Sequence, residues 1–334
     1  MMRFQQTRWQ AARALLTVLA WWAGLASFAL AQAAVKQFDT APVAPADDSA
    51  IRLVTQVVSL TVTVTDKHGR RLPALEKDAF TVFEDRVAQE IGYFKQVDAP
   101  ASIAVVFDLS ASMRGEKIAR AHQALRRFLL NSHPEDEYSL IGFNDRAWVA
   151  LDKTRNGQDL LQQLSTAEPQ RGTALFDAVA LGLKQLEHGL YARRALLIIS
   201  DGEDNRSHVS FRQLKHLAQE SSALIYAVGI TESMAKPDLN GRMLEDLAEQ
   251  TGGRAVFSLD AEEMCAVFEA IALELRQQYS LGYTPSNFVA DGKWRKLKVK
   301  VAPPLKTAGL IVRTRGGYYA HPSQAMPDNE VENW

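Results

Sequence analysis

Three continuous apolar runs constrain this chain more than anything else in it. They lie at 103–107 (IAVVF), 195–200 (ALLIIS) and 224–230 (LIYAVGI). A strand that is apolar on both faces must be covered on both faces, which is the environment of a central strand in a parallel sheet. Segments with apolar residues at helical spacing lie between and after these runs. They are marked by Ile118, Ala121, Leu125, Phe128 and Leu129; by Leu175, Val179, Leu183 and Leu186; by Phe211, Leu214, Leu217 and Ala218; by Leu244, Leu247 and Ala248; and by Met264, Val267, Phe268, Ile271 and Leu275. Residues 138–143, 147–151 and 254–258 read as further strands. Strands alternating with helices predict an α/β domain over 100–276, a doubly wound, mostly parallel sheet with helices on both faces.

The flanks have a different period. At 57–65, Val58, Leu60, Val62 and Val64 alternate with Ser59, Thr61, Thr63 and Thr65, the pattern of a half-buried strand. Asp66 to Gly69 supplies turn chemistry, and 80–83 and 89–94 read as two short strands. After Gln277 the alternation returns in Tyr279, Leu281 and Tyr283, then in Leu297, Val299 and Val301, then at 310–315 and Tyr318-Tyr319. The segments 51–99 and 277–320 are each too small to bury a core alone. Together they predict one small β-sandwich, with the α/β domain inserted between its halves. Two separate β modules are the alternative. Residues 321–334 read as a polar tail.

Arg3, Arg8 and Arg13 are the only charges before residue 36, and 14–30 is uncharged and apolar, followed by small residues around Ala31. A basic start, an apolar middle and an A-x-A ending predict a secretory signal peptide over 1–31. An uncleaved N-terminal membrane anchor is the alternative. Residues 32–50, rich in Ala, Pro and Asp, read as a linker. Cleavage lowers the 38 basic residues to 35 against 39 acidic, a net charge of −4. The expected location is periplasmic or secreted.

Composition removes several functions. With 47% hydrophobic and 23% charged residues, the chain is neither disordered nor fibrous. A net charge of −1 gives no basis for a nucleic-acid partner. The single cysteine, Cys265, permits no internal disulfide and no cysteine-based zinc or iron–sulfur site, and its apolar neighbours predict a buried, inert thiol. No G-x-S-x-G, Walker A, G-x-G-x-x-G or H-E-x-x-H run is present. Arg295, Lys296, Lys298 and Lys300 read as a solvated basic strand face.

Ligands of an open α/β sheet gather at the carboxyl ends of the strands. After the run at 103–107 comes Asp108-Leu109-Ser110-Ala111-Ser112, and after the run at 195–200 comes Asp201-Gly202-Glu203-Asp204-Asn205. Arg171-Gly172-Thr173 opens the helix between them. Asp108, Ser110, Ser112, Thr173 and Asp201 offer two carboxylates and three hydroxyls. An all-oxygen set suits a hard divalent cation, Mg²⁺, Mn²⁺ or Ca²⁺. It is too small to close a cage, so water or an incoming ligand must complete it. Asp204 and Asn205 read as caps of the following helix, with support of the metal ligands as the alternative.

At these positions the sequence resembles the von Willebrand factor type A domain and its metal-ion-dependent adhesion site, written D-x-S-x-S, then Thr, then Asp. The flanks VTVTDKHGRRLPALEKDAFTVFED, YSLGYTPSNF and GLIVRTRGGYYA resemble those of the bacterial exported members of that family. The resemblance implies metal ligation by Asp108, Ser110, Ser112, Thr173 and Asp201, and a partner carboxylate, Asp or Glu, at the open coordination position. Leu109, Ala111 and Arg171 depart from the usual D-T-S-G-S and G-G-T forms at positions that need not be ligands. The expected function is therefore a non-enzymatic adhesion-type module with Mg²⁺ as first choice of cation. A metal-dependent hydrolase, with Glu203 or Asp204 as base, is one alternative. A structural envelope protein stabilised by its metal is the other.

Overall fold

The structure, a computed structural model, describes residues 57–66, 74–201, 204–230, 239–258, 260–302 and 309–321. The expected signal peptide, the linker, the turn at 67–69, Glu203 and the tail beyond His321 lie outside the described residues. Four strands come first: β1 (Val58–Thr65), β2 (Phe80–Glu84), β3 (Val87–Gln89) and β4 (Ile91–Asp98). The α/β part runs β5 (Ser102–Asp108), α1 (Glu116–Asn131), β6 (Glu137–Phe143), β7 (Ala147–Thr154), α2 (Gly157–Ser165), α3 (Leu175–Glu187), β8 (Arg194–Ser200), α4 (Phe211–Glu220), β9 (Leu224–Ile230), α5 (Leu239–Thr251), β10 (Arg254–Ser258) and α6 (Ala261–Arg276). Then follow β11 (Gln277–Tyr283), β12 (Trp294–Val301), β13 (Ile311–Arg313) and β14 (Gly317–Tyr319).

The six strands of the α/β part lie in the order β10-β9-β8-β5-β6-β7, all parallel except β7, which runs antiparallel to β6. Every residue of β5 is buried, as its continuous apolar run requires. Ile103, Val105 and Phe107 face a cluster with Leu125 and Phe128 of α1 and Phe268 and Ile271 of α6. Ala104 and Val106 face the opposite cluster, with Leu175, Val179 and Leu183 of α3 and Leu214 of α4. After β5 the chain builds β6 and β7 on one side, then returns to build β8, β9 and β10 on the other. The carboxyl end of β5 is thus the point where strand order reverses, the place such sheets offer to a ligand. Asp108 occupies it.

Strands from both flanks interleave in two further sheets, β13-β1-β11-β4 and β14-β12-β2-β3. Leu60 and Val62 of β1, Val82 of β2, Leu281 of β11 and Leu297 of β12 share one core. The α/β part leaves and rejoins this β part at adjacent points. Asp98 ends β4, Arg276 ends α6, and the two form a bidentate ion pair at 2.6 and 3.1 Å.

Several expectations are corrected. The strand expected over 89–94 is broken at Glu90, and β3 and β4 belong to different sheets. Thr63 and Thr65 are buried as fully as the Val64 between them, so this end of β1 is covered on both faces. Arg295 is not on the lysine face. It shares the inward parity of Leu297 and Val299, is 5% exposed, and donates at 2.8 Å to both Asp291 and the Val289 carbonyl. Cys265 is half-buried against the α1/α6-side core rather than fully buried. Helix α2 has no counterpart in the sequence reading. It is short and mostly polar, anchored by Leu160 and Leu164 and capped by Asn156, whose side chain accepts from the Gln158 amide at 3.2 Å.

One packing detail gives a pH prediction. His122 of α1 lies edge-on to Phe107, with ring centroids 5.5 Å apart, and its buried Nε2 has no hydrogen-bond partner. Burial holds its pKa below 6.5. The unfolded chain therefore takes up a proton near pH 6.5 that the folded chain resists, so the His122 contribution is intact above that pH and is lost as pH falls below it. Thermal unfolding between pH 7.5 and 5 is expected to show a shallower decline in His122→Leu than in the wild type. Parallel profiles would remove His122 as the cause.

Candidate metal centre

Asp108 is fully buried at the end of β5. Its Oδ1 accepts from the Ser110 amide at 2.8 Å, and its Oδ2 accepts from the Ser200 hydroxyl, at the end of β8, at 2.6 Å. Burial pushes its pKa up to about 6, against those hydrogen bonds, and the nearby charge of Asp201 adds to the rise. The chain then makes a single 3-10 turn over Ala111–Met113, with the Met113 amide donating to the Ser110 carbonyl at 3.1 Å and the Met113 side chain buried beneath. This turn brings the Ser110 and Ser112 hydroxyls within 2.9 Å of each other. Ser110 is buried and Ser112 exposed, so the pair reaches from the sheet to solvent.

The loop bearing Thr173 is fixed from three sides. The Gln170 amide donates to the Leu109 carbonyl at 2.9 Å, and Gln170 forms a parallel bridge with Ser110. The Ala174 amide donates to the Asn144 carbonyl at 2.6 Å. The Thr173 amide donates to Asn205 Oδ1 at 3.1 Å, while its carbonyl accepts from the Asn205 and Arg206 amides. Gly172 makes this path possible. Its φ is +94°, and a Cβ there would meet Asp145 at 2.8 Å.

Asp201 follows β8 and its side chain is 8% exposed. Its Oδ2 accepts from the Lys117 ammonium at 3.2 Å, and its buried Oδ1 has no hydrogen-bond partner. The sequence reading singled out neither Lys117 nor Ser200. Both touch a site carboxylate only through folding, since Lys117 is 84 residues from Asp201 and Ser200 is 92 from Asp108.

Asp204 and Asn205 cap a helix, but the preceding one. Asp204 Oδ1 accepts from the Phe176 amide in the first turn of α3 and from the Ser207 hydroxyl, and Asn205 holds Thr173. The following helix, α4, is capped by Ser210 and Gln213 in a capping box.

Among the described residues no group of three or more His, Cys, Asp or Glu could hold a metal ion. The donors at the carboxyl end of the sheet are instead two carboxylates with serine and threonine hydroxyls. Their chemistry fits a hard divalent cation, and the unpartnered Asp201 Oδ1 is the kind of acceptor such a cation would satisfy. Among the described residues the surrounding loops and the start of α1 carry exposed arginines at 114, 146, 171 and 206, against exposed acids at Glu116, Asp145 and Glu168.

Residues 103–203 match the family described as the von Willebrand factor type A domain. This part of the chain is a type A domain. Its six-stranded mixed sheet flanked by helices is the fold expected of that family, and such domains are generally interaction modules rather than enzymes. The chain is 26% identical over 228 residues to the inter-alpha-trypsin inhibitor heavy chain H4 of Bos taurus, a match spanning 60% of this chain and 24% of that protein. It is 25% identical over 196 residues to an uncharacterized protein of Synechocystis, spanning 58% of this chain and 45% of that one. The chain thus covers less than half the length of either relative. Among solved structures, a von Willebrand factor type A protein from Catenulispora acidiphila superposes with a TM-score of 0.48 at 12% identity, covering 75% of this chain and 76% of that one. No helix among the described residues is long and apolar enough to cross a membrane.

Proposed function

We propose that the type A domain is an exported protein-binding module in which Asp108, Ser110, Ser112, Thr173 and Asp201 hold a divalent cation, with Mg²⁺ preferred, completed by an Asp or Glu of a partner. The observation that carries this reading is the Asp201 carboxylate, buried with one oxygen unpartnered and close enough to raise the pKa of Asp108. When bound, the cation would supply an electrophilic position for a carboxylate ligand. The chain's own residues set the rest. Ser200 and the Ser110 amide fix Asp108, the 3-10 turn presents Ser112 to solvent, and Asn205 fixes Thr173. The apolar run behind three arginines supports export. The hydrolase reading loses Asp204 as a base, because that carboxylate is already engaged with the Phe176 amide and Ser207.

A surface-binding experiment with an immobilised Asp- and Glu-rich peptide tests the reading. Binding is expected in Mg²⁺ or Mn²⁺, absent in EDTA, and lost in Thr173→Ala, whose unfolding temperature in EDTA stays close to that of the wild type. Equal binding in EDTA and in metal would overturn it.

A further inference from the structure

We infer that Lys117 competes with a divalent cation for Asp201 and so sets the metal affinity of the site, an inference that rests on the metal reading above. Lys117 is the second residue of α1. A cation at a helix N-terminus works against the helix dipole, so helix stability gives no reason for a lysine there. A neighbouring pair shows the ordinary use of this turn, with Glu116 and Arg120 meeting at the surface four residues apart. Lys117 instead turns inward. Its side chain is 17% exposed, and its ammonium lies 3.2 Å from Asp201 Oδ2, on a carboxylate that is itself 8% exposed.

A divalent cation at Asp201 would meet that ammonium at close range in a partly desolvated site. Like charges there repel far more strongly than in water. Metal is therefore taken up against Lys117, which must give up its hold on Asp201 or remain beside a second cation. The same contact has an opposite consequence in chelator. There Lys117 compensates one of the two site carboxylates, the other, Asp108, being buried without exposure. The fold then needs no metal to tolerate the pair. Removing the ammonium should weaken the chain in chelator and strengthen metal binding. A lysine that only packed the helix would not move those two quantities in opposite directions.

The test uses the full chain as wild type, Lys117→Met, Lys117→Gln, Lys117→Arg and Asp201→Asn. Calorimetric titration with Mn²⁺ and with Mg²⁺ is expected to show Lys117→Met and Lys117→Gln binding about tenfold or more tighter than the wild type. Lys117→Arg should stay close to the wild type, and Asp201→Asn should be much weaker. In EDTA, Lys117→Met and Lys117→Gln should unfold at lower temperature than the wild type. A readout that needs no variant is acetylation of Lys117 in the wild type, followed by mass spectrometry, which is expected to accelerate when Mn²⁺ is added. Metal binding by the two neutral variants but not by the wild type would support the inference in its strongest form. Equal affinity in the wild type and the neutral variants, with loss in Asp201→Asn, would overturn it and leave the metal reading standing. No binding in any of the five proteins would overturn both.

Discussion

Replacing Glu274 by alanine is expected to destabilise the folded chain by about 3–5 kcal/mol, the cost of stranding buried charge. Glu274 sits on α6 and is 4% exposed. Its Oε1 accepts from Arg313 Nη2 of β13 at 2.8 Å and lies 3.4 Å from Arg254 Nη2 of β10. One carboxylate thus joins a helix of the type A domain, the edge strand of its sheet, and a strand of the β part. The surroundings offer little to replace it. Arg254 Nε, Arg313 Nε and the Tyr226 hydroxyl of β9 are buried without hydrogen-bond partners, and burial together with the Glu274 charge holds the Tyr226 pKa well above that of an ordinary phenol. Alanine would leave two partly buried guanidinium groups facing each other without their counter-charge. Glu274→Gln keeps the volume and one acceptor, so it separates lost charge from lost packing, and most of the penalty should persist in it. By contrast, Lys215 and Asp246 pair at 2.9 Å between α4 and α5 with both side chains more than a third exposed. Lys215→Ala should cost less than about 1 kcal/mol. Urea unfolding measures all three. A Glu274→Ala penalty no larger than that of Lys215→Ala would show that this ion cluster does not hold the two parts together.

The sheet and the position of Asp108 were legible in the sequence for one reason. A strand buried on both faces must be apolar through its middle, and 103–107 of β5, 195–199 of β8 and 224–230 of β9 are written that way. Once those runs are strands, the residues after them are strand ends, and Asp108 and Asp201 fall at the ligand-binding edge without further information. The 3-10 turn over Ala111–Met113 that brings the Ser110 and Ser112 hydroxyls within 2.9 Å is not announced by the alternation of Asp108, Ser110 and Ser112, which suits an extended loop equally well. What escaped depends on contacts that periodicity cannot encode. Alternation assigns a face to a residue but names no partner, so neither the Lys117–Asp201 contact nor the seat of Asp108 on Ser200 could be read. Asp204 and Asn205 were correctly legible as capping residues, yet a cap acts on whichever backbone amides fold up to it. Here those belong to α3, packed beside them, and not to α4, next in sequence. Arg295 reads as solvated with the neighbouring lysines, although parity alone puts it with Leu297 and Val299. Its charge suggested solvent, whereas Asp291 and the Val289 carbonyl make burial tolerable. Helix α2 escaped because two buried leucines in nine residues make too weak a stripe.

Asp108→Asn should reverse the order of stability between chelator and metal. The wild-type carboxylate is 0% exposed, and the two hydrogen bonds it accepts only partly offset the loss of water. Asparagine has the same shape. Its Oδ1 can still accept from the Ser110 amide, and its Nδ2 can donate to a Ser200 hydroxyl turned to accept. Removing the buried charge is therefore expected to stabilise the chain in EDTA by about 1–3 kcal/mol. In metal the sign changes. A site filled to about 100 times its dissociation constant stabilises the wild type by about 2.7 kcal/mol, roughly 5–10 °C in unfolding temperature for a domain of this size. The asparagine variant, with one carboxylate fewer, should gain little or nothing. Differential scanning calorimetry of both proteins in EDTA and across a Mg²⁺ or Mn²⁺ series should give crossing lines, with the variant higher without metal and the wild type catching or passing it with metal. An equal metal-induced rise in both would remove Asp108 from the site. A variant less stable than the wild type in EDTA would mean that the buried carboxylate is held for the fold itself. The crossing, if found, has a single physical source: a charge that burial makes costly and that only a cation can make favourable.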